Sequence, residues 1–184
     1  MADPASRLHL LQVLVVRCQL GDRDAFAEMV ELCQPRLRAF LHKMLPEPHH
    51  VDDVAQDVWM DVYKDLPVLI HPGAFLPWLY RIAHNRCART MRRVRPPVMS
   101  LEDVDVADDI EVDLKFAAED AEAVHAAMAQ LSEPHREVLL LRFLEDMSYQ
   151  EIANVLGCPV GTVRSRIHNA ISMLRRILEH ARQT

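Results

Sequence analysis

The first hundred residues carry apolar side chains at the period of an α-helix. This spacing holds from about residue 8 to residue 45, with an interruption at Gly21. Asp22 or Asp24, just after the glycine, is a suitable N-cap, so the pattern predicts one helix before the interruption and another after it. Pro46 would end the second helix, because proline lacks the backbone N–H that a helix needs.

Two more helices are predicted in this half of the chain. The third would run from about Val51 to Leu66. Its core-facing stripe has i, i+3, i+4, i+7, i+11 spacing and consists of Val51, Val54, Ala55, Val58 and Val62. Residues 67–73 contain two prolines and a glycine, which predicts a loop. Pro77 fits the first turn of a fourth helix, which would reach about Arg93.

The rest of the chain separates into a polar stretch and a second set of helices. Residues 98–118 are rich in acidic side chains and lack a clear apolar period, which predicts a flexible linker. Helical spacing then resumes to residue 131 and, with Ser132 as N-cap, continues to about residue 143. We therefore predict an all-α fold of two small helical domains, 8–97 and 119–184, joined by the acidic linker.

A helix-turn-helix pattern follows near the C-terminus. Gly157 lies four residues after Ala153, where the chain must turn and a left-handed backbone costs least without a Cβ. Ala153 is small enough for the second helix to cross closely over the first, and Val163 can pack back against it. The remaining core positions are Ile152, Leu156 and Ile167. Because this spacing is typical of a DNA-reading helix-turn-helix, it predicts duplex DNA as a partner.

The charge distribution supports a DNA-binding role despite a net charge of −6. No acidic residue occurs from Leu66 to Ser100, and arginines cluster there at positions 81, 86, 89, 92, 93 and 95. A second basic group, on the predicted reading helix, consists of Arg164, Arg166, Arg175 and Arg176. Two basic blocks separated by acidic ones indicate two DNA-facing surfaces and further surfaces for other partners.

The sequence predicts neither a metal nor a cofactor. The four cysteines form no CxxC pair, so we expect reduced, mostly buried thiols and no zinc knuckle. His49 and His50 stand beside Asp52 and Asp53, but adjacent residues on a chain entering a helix seldom converge on one ion. The chain also lacks a long apolar run and a signal-like start, which predicts a cytoplasmic protein without membrane insertion.

Three motifs give the chain a family resemblance. Over about residues 14–178 it resembles the extracytoplasmic-function (group 4) sigma factors of bacterial RNA polymerase. Residues 53–59, DVAQDVW, are similar to the polymerase-binding helix of that family. Residues 75–85, FLPWLYRIAHN, are similar to its promoter-melting helix, and residues 158–167, CPVGTVRSRI, to its upstream-promoter reading helix.

The resemblance implies a function without catalysis. Such a factor binds core RNA polymerase through the β′ clamp and the β subunit. It directs the enzyme to promoters by reading the −35 and −10 elements, and it helps to open the DNA. An anti-sigma factor is a further implied partner, because members of the family are usually held inactive until a signal arrives.

The resemblance also implies roles for particular residues. The exposed face that would bind polymerase arginines consists of Asp52, Asp53, Gln56, Asp57, Met60 and Asp61. The residues implied for the downstream (−10) element are His71, Phe75, Trp78, Arg81, Asn85, Arg86 and Arg89. Those implied for the upstream (−35) element are Pro159, Gly161, Thr162, Arg164, Ser165, Arg166, His168 and Asn169.

Some alternatives stay open at the level of sequence. The loop 68–74 lacks the Phe-Arg-Gly-like stretch frequent in the family, so the preferred downstream base is not fixed. The acidic linker is compatible with a solvated tether and with a segment that threads a basic polymerase channel. A stand-alone DNA-binding regulator would use only the helix-turn-helix, and the acidic motif argues against it. A metal hydrolase using the ten histidines is the other rival, and no HExxH motif supports it.

Overall fold

The computed structural model describes residues 4–94 and 121–182, and within these ranges the chain is helical without a β-strand. The chain divides into two compact units, one within residues 1–97 and one within residues 98–184. The predicted linker, 98–118, lies outside the described residues. None of the described helices combines the length and the apolar character needed to cross a lipid bilayer.

The described part of the first unit, residues 4–94, contains four α-helices. They are α1 (Pro4–Gln19), α2 (Arg23–Met44), α3 (His50–Asp65) and α4 (Phe75–Val94). Of the two proposed N-caps of α2, Asp22 is the actual one, because its carboxylate accepts hydrogen bonds from the backbone N–H groups of Asp24 and Ala25, each at 3.0 Å. The helix ends at Met44, two residues before Pro46, as the sequence predicted.

The core of the first unit forms where α1, α3 and α4 pack against α2. The predicted stripe of α3 is confirmed: each of its five members is buried, namely Val51, Val54, Ala55, Val58 and Val62. Phe40 of α2 and Tyr80 of α4 meet edge to face, with ring centroids 5.2 Å apart, and both are buried. Such pairs add specific geometry to the burial of a large apolar surface. This packing fixes which faces of α3 and α4 remain in solvent.

The segment between α3 and α4 is irregular, as predicted, and it is tied to α1. It consists of two single 3₁₀ turns, Leu66–Val68 and Pro72–Ala74. The side-chain amide of Gln19 donates to the carbonyl oxygens of Leu66 at 3.1 Å and Leu69 at 2.8 Å. Because these bonds satisfy loop carbonyls, they fix the position of a segment that enters the N-terminus of α4.

Residues 121–182, the described part of the second unit, contain four further α-helices. They are α5 (Ala121–Ala129), α6 (Glu133–Leu139), α7 (Tyr149–Leu156) and α8 (Val160–Arg182), and α8 packs against the other three. The prediction of an unbroken α-helix to residue 143 is wrong, because α6 passes into a π-helical turn at Leu140–Leu144. The chain leaves that turn through Asp146, whose φ is +56°. The N–H of Glu145 bonds the carbonyl of Leu140 at 3.3 Å, which closes the wider turn.

Candidate functional site

Local hydrogen bonding builds the helix-turn-helix from α7 and α8. Ser148 and Glu151 form a reciprocal capping box at the start of α7, with the Ser148 N–H donating to the Glu151 carboxylate at 2.8 Å. Gly157 ends α7 in the left-handed conformation, at φ +65°. The following Cys158 N–H donates to the carbonyl of Ala153 at 3.2 Å. The predicted turn at Gly157 is confirmed.

The core of the helix-turn-helix also agrees with the sequence, apart from one residue. Ile152, Ala153, Val163 and Ile167 are buried, whereas Leu156 is only half-buried. The burial of Ala153 and Val163 on facing helices is consistent with the close crossing that a small residue permits. With these residues in the core, Arg164 is exposed and His168 is half-buried on the N-terminal half of α8, and these two residues form its polar row.

The first half of α8 and the residue just before it contain most of the residues predicted for the upstream element. Pro159, Gly161 and Arg164 are exposed, and the half-buried members are Thr162, Arg166, His168 and Asn169. At 100° per residue, Arg164 and His168 lie within one narrow strip of the helix surface. A cationic side chain and an imidazole in such a strip can donate hydrogen bonds to base edges or phosphates.

Ser165 does not share this exposure. Along the chain Ser165 stands between two residues that are also predicted to contact DNA, Arg164 and Arg166, yet it is only 2% exposed. Its hydroxyl donates to the carbonyl oxygen of Thr162 at 3.0 Å, a back-bond within the same helix. The hydroxyl donor of Ser165 is thus used within α8, and the prediction that this residue contacts DNA stays a prediction.

The acidic face of α3 has a solvent-facing centre and two paired edges. Asp53, Gln56 and Met60 occupy the centre and are exposed. At one edge, Asp52 forms an ion pair with Arg38 of α2. At the other edge, Asp61 pairs with Arg86 of α4. The acids predicted to bind a partner thus differ in how much of their charge is compensated within the unit.

Arg86 is the main electrostatic link between α3 and α4. Its Nε and Nη2 donate to the two carboxylate oxygens of Asp61, each at 2.6 Å, in a bidentate arrangement. Its Nη1 donates to Asp57 at 2.8 Å. The hydrogen bonds with Asp61 are the main reason that the pKa of Arg86 lies above its ordinary value. Arg86 therefore has three of its five N–H donors directed to α3, and its predicted role in binding DNA stays a prediction.

The other predicted residues of α4 divide into an exposed row and aromatic side chains that are buried or half-buried. Arg81, Asn85 and Arg89 recur every four residues and are exposed, so they lie along one side of the helix. Phe75 is only 1% exposed and packs near Trp78, with ring centroids 6.2 Å apart. Phe75 therefore belongs to the core, and the prediction that it contacts DNA stays a prediction. Trp78 is half-buried, and in the preceding loop His71 is exposed.

Sequence reasoning missed three residues that position these surfaces. Gln19 holds the loop before α4, Arg38 pairs with Asp52, and Gln34 accepts a hydrogen bond from the indole N–H of Trp59. Gln34 and Arg38 lie four residues apart, on one side of α2. Polar residues on a helix that also buries a core stripe are a weak signal, and only the packing shows that they meet α3.

One group of described side chains could hold a metal ion. Glu47, His49 and His50, just before and at the start of α3, each offer a ligand atom, and these atoms lie within 4.8 Å of one another. The sequence argument considered His49 and His50 together with Asp52 and Asp53, and it did not include Glu47. No comparable group of three His, Cys, Asp or Glu residues is found elsewhere in residues 4–94 and 121–182.

Comparisons with known proteins cover both units. The family model for sigma-70 region 2 matches residues 29–96, and that for sigma-70 region 4 matches residues 121–174. The RNA polymerase sigma-H factor of Pseudomonas aeruginosa is 36% identical over 180 residues, covering 91% of this chain and 93% of that protein. The ECF RNA polymerase sigma-E factor of Escherichia coli is 34% identical over 172 residues, covering 86% and 89% respectively.

Two solved structures resemble most of the chain. CnrH in complex with the cytosolic domain of CnrY has a TM-score of 0.69 at 26% identity, covering 93% of this chain and 98% of that one. The sigma factor RpoE of Bartonella quintana, in complex with the anti-sigma factor NepR, has a TM-score of 0.67 at 25% identity, covering 84% and 96%. Sequence and fold comparisons therefore agree over both units.

Proposed function

Because the chain belongs to the extracytoplasmic-function group of sigma-70 family RNA polymerase sigma factors, we propose that it reads an upstream and a downstream promoter element and helps to open the DNA. The observation that carries this proposal is the arrangement of the first unit. There an exposed carboxylate and amide surface on α3 stands beside an exposed arginine row on α4, and Arg86 links the two helices. The second unit adds a helix-turn-helix with a polar reading face.

The proposed polymerase contact is centred on Asp53, Gln56 and Met60. Their exposure at the middle of α3 leaves a carboxylate, an amide and a thioether available to a partner. An arginine-rich coiled coil of the β′ clamp would supply charge-assisted hydrogen bonds, and Met60 would add apolar contact. Asp57 and Asp61 would act mainly through Arg86, and Asp52 mainly through Arg38.

The proposed downstream contact is the row Arg81, Asn85 and Arg89, with Trp78 at its N-terminal end and His71 in the loop. Arginines at successive turns suit the spaced phosphates of a single strand, and a half-buried indole can stack on an unpaired base. A protein that favours separated DNA strands over duplex must offer such a contact to a base that has left the base stack. The loop sequence leaves the identity of that base open.

The proposed upstream contact is the polar row of α8. Arg164 and His168 would reach base edges in the major groove, while Arg166 and Asn169 lie nearer the DNA backbone. Pro159, Gly161 and Thr162 bring the helix N-terminus, with its free N–H groups, close to a phosphate. An arginine that binds guanine through two hydrogen bonds contributes roughly 1–3 kcal/mol of discrimination against other bases.

Core polymerase, promoter DNA and an anti-sigma factor are the proposed partners, and the cytoplasm is the proposed location. Two structural relatives were solved as complexes, one with a protein named as an anti-sigma factor and the other with the cytosolic domain of CnrY. The role requires no bond-breaking chemistry and no cofactor from this chain. The functional domains would be residues 8–97 and 119–184, with 98–118 as a tether or channel segment.

Run-off transcription tests the proposal. Core RNA polymerase and a pool of genomic promoter fragments are incubated with and without the full-length protein. We expect transcripts that depend on the protein, and alignment of their start sites would give both promoter elements. Absence of both transcripts and polymerase binding would refute the proposal and favour a stand-alone DNA-binding regulator.

Two pairs of variants separate the proposed surfaces. Gln56→Ala combined with Met60→Ala should weaken retention on immobilised core polymerase. Asp65→Asn, an exposed acid at the end of the same helix and off this face, should not.

Arg164→Ala should lose discrimination at one upstream base pair, whereas Arg89→Ala should weaken binding on all promoters and reduce its salt dependence. Equal losses on every promoter for both variants would contradict this division.

A further inference from the structure

We propose that Glu47, His49 and His50 form a binding site for one divalent transition-metal ion of the zinc class. The three residues span the turn between α2 and α3, and His50 is the first residue of α3. The site does not depend on the proposed sigma-factor function. Binding of the ion and transcription can therefore fail or succeed separately.

The distances from the Glu47 carboxylate to the two histidine nitrogens are close to those that a small ion requires, and all three ligand atoms lie within 4.8 Å of one another. The Oε2 atom of Glu47 lies 3.2 Å from Nε2 of His49 and 3.8 Å from Nε2 of His50. A tetrahedral zinc ion with bonds of about 2.0–2.2 Å holds its ligand atoms roughly 3.3–3.6 Å apart. Both distances therefore lie within a few tenths of an ångström of this ligand-to-ligand spacing. Small side-chain rotations would supply the difference.

The backbone of this turn is constrained before any ion arrives. Pro46 and Pro48 flank Glu47 and fix two φ angles. The N–H of His50 donates to the carbonyl of Glu47 at 3.2 Å, and the N–H of Val51 donates to the carbonyl of Pro48 at 3.1 Å. The imidazole rings of His49 and His50 already lie 4.0 Å apart. A preorganised ligand set loses less conformational entropy on binding, which favours an ion over a loose surface contact.

The ligand set selects the class of ion. Two imidazoles and one carboxylate suit zinc and neighbouring transition metals, whereas magnesium and calcium prefer oxygen ligands alone. Glu47 and His49 are exposed, so water would complete the coordination shell. The partial positive charge at the start of α3 opposes a bound cation. Both features predict a weaker and more exchangeable site than a buried four-ligand zinc centre.

A bound ion would join the turn to the first turn of α3. Any ligand that binds only the folded state raises the apparent stability of that state. Both tryptophans of the chain, Trp59 and Trp78, lie in the first unit, so their fluorescence follows this unit in the intact protein. Added zinc should raise the thermal midpoint of that signal in the wild-type chain.

Calorimetric titration of the full-length reduced protein with zinc alone tests the proposal. We expect one site per chain that becomes at least about tenfold weaker in His49→Ala, His50→Ala and Glu47→Gln, since even outer-shell changes commonly cost that much. His9→Ala, which removes an exposed histidine on α1, is the matched control and should bind as the wild type does. The thermal shift should disappear in the same three variants.

A second measurement distinguishes this site from the thiols and the other histidines. Imidazole ¹⁵N resonances of His49 and His50 should move on zinc addition, because metal ligation changes the ring nitrogens directly. The proposal is overturned if the three variants bind zinc within about twofold of the wild type, or if zinc binds while those resonances stay unchanged. Either result would mean that the group is only a charge pairing between Glu47 and its histidines.

Discussion

Loss of Arg86 should destabilise the first unit more than an exposed ion pair would. The Arg86 side chain is 25% exposed and that of Asp61 is 26% exposed, and two parallel hydrogen bonds of 2.6 Å join them. Hydrogen bonds to charged groups contribute about 1.5–3 kcal/mol, while exposed pairs contribute about 0.2–1 kcal/mol. We therefore expect a coupling of about 1–2 kcal/mol between Arg86 and Asp61.

The pair with Asp57 should contribute less. The Asp57 side chain is 53% exposed and makes a single bond of 2.8 Å, so solvent and salt screen it more strongly. We expect about 0.5 kcal/mol of coupling there. Loss of the guanidinium would also leave Asp57 and Asp61 as like charges at i, i+4, at a cost of about 0.2–0.5 kcal/mol.

A double-mutant cycle measures these terms. The variants are Arg86→Met, which keeps an apolar stem, Asp61→Asn, and the two together, with a parallel cycle through Asp57→Asn. Urea unfolding followed by tryptophan fluorescence reports on the first unit of the full chain, because Trp59 and Trp78 both lie in it. A coupling below about 0.3 kcal/mol for the Arg86–Asp61 cycle would refute the reasoning, since independent sites are additive to about that margin.

Three further predictions concern single residues. Gly157→Ala should destabilise the helix-turn-helix by about 1 kcal/mol, because the φ angle of Gly157 is +65°. Gly161→Ala should stabilise α8 by about 0.5–1 kcal/mol, because a Cβ at this helical position would enter open space. Amide hydrogen exchange in the second unit would measure both changes. Ser148→Ala should cost about 1 kcal/mol through loss of the capping box, seen as faster exchange in the first turn of α7, and unchanged exchange would contradict it. Burial is the main reason that the pKa of the Cys18 thiol is raised, so the rate of its alkylation should be low near neutral pH and keep rising above about pH 8.5. Buried Cys87 should react only on unfolding. Peptide mapping after iodoacetamide treatment measures both rates, and rapid alkylation of Cys18 near neutral pH would contradict the prediction.

The features that the sequence predicted well are those that local rules determine. The stripe of α3, the N-cap at Asp22 and the turn at Gly157 each depend on residues within about three helical turns of one another. The π-helical turn after α6 was missed because Leu140–Leu144 carries the apolar spacing of an ordinary helix. What widens the turn there is the set of hydrogen bonds around residues 140–147, which sequence periodicity does not report.

Side-chain pairing between helices was not predictable in the same way. Arg86 and Asp61 lie 25 positions apart, and nothing in either helix alone shows that they meet. Ser165 occupies a position between two arginines and is nevertheless buried, because burial depends on what packs around a helix as well as on its own period. Glu47 joins the two histidines only because the proline-flanked turn folds back toward them.

The division of the acidic residues on α3 shows what such pairing means for function. By composition the carboxylates at positions 52, 53, 57 and 61 are equivalent, and the sequence assigned them all to one partner surface. Three of them already pair with arginines of α2 or α4, and breaking such a pair to reach a partner would cost part of its stabilisation. Asp53 stands outside this pairing, next to Gln56 and Met60. Substitution at Asp53 should therefore act chiefly on partner binding, and substitution at Asp61 chiefly on the stability of the unit.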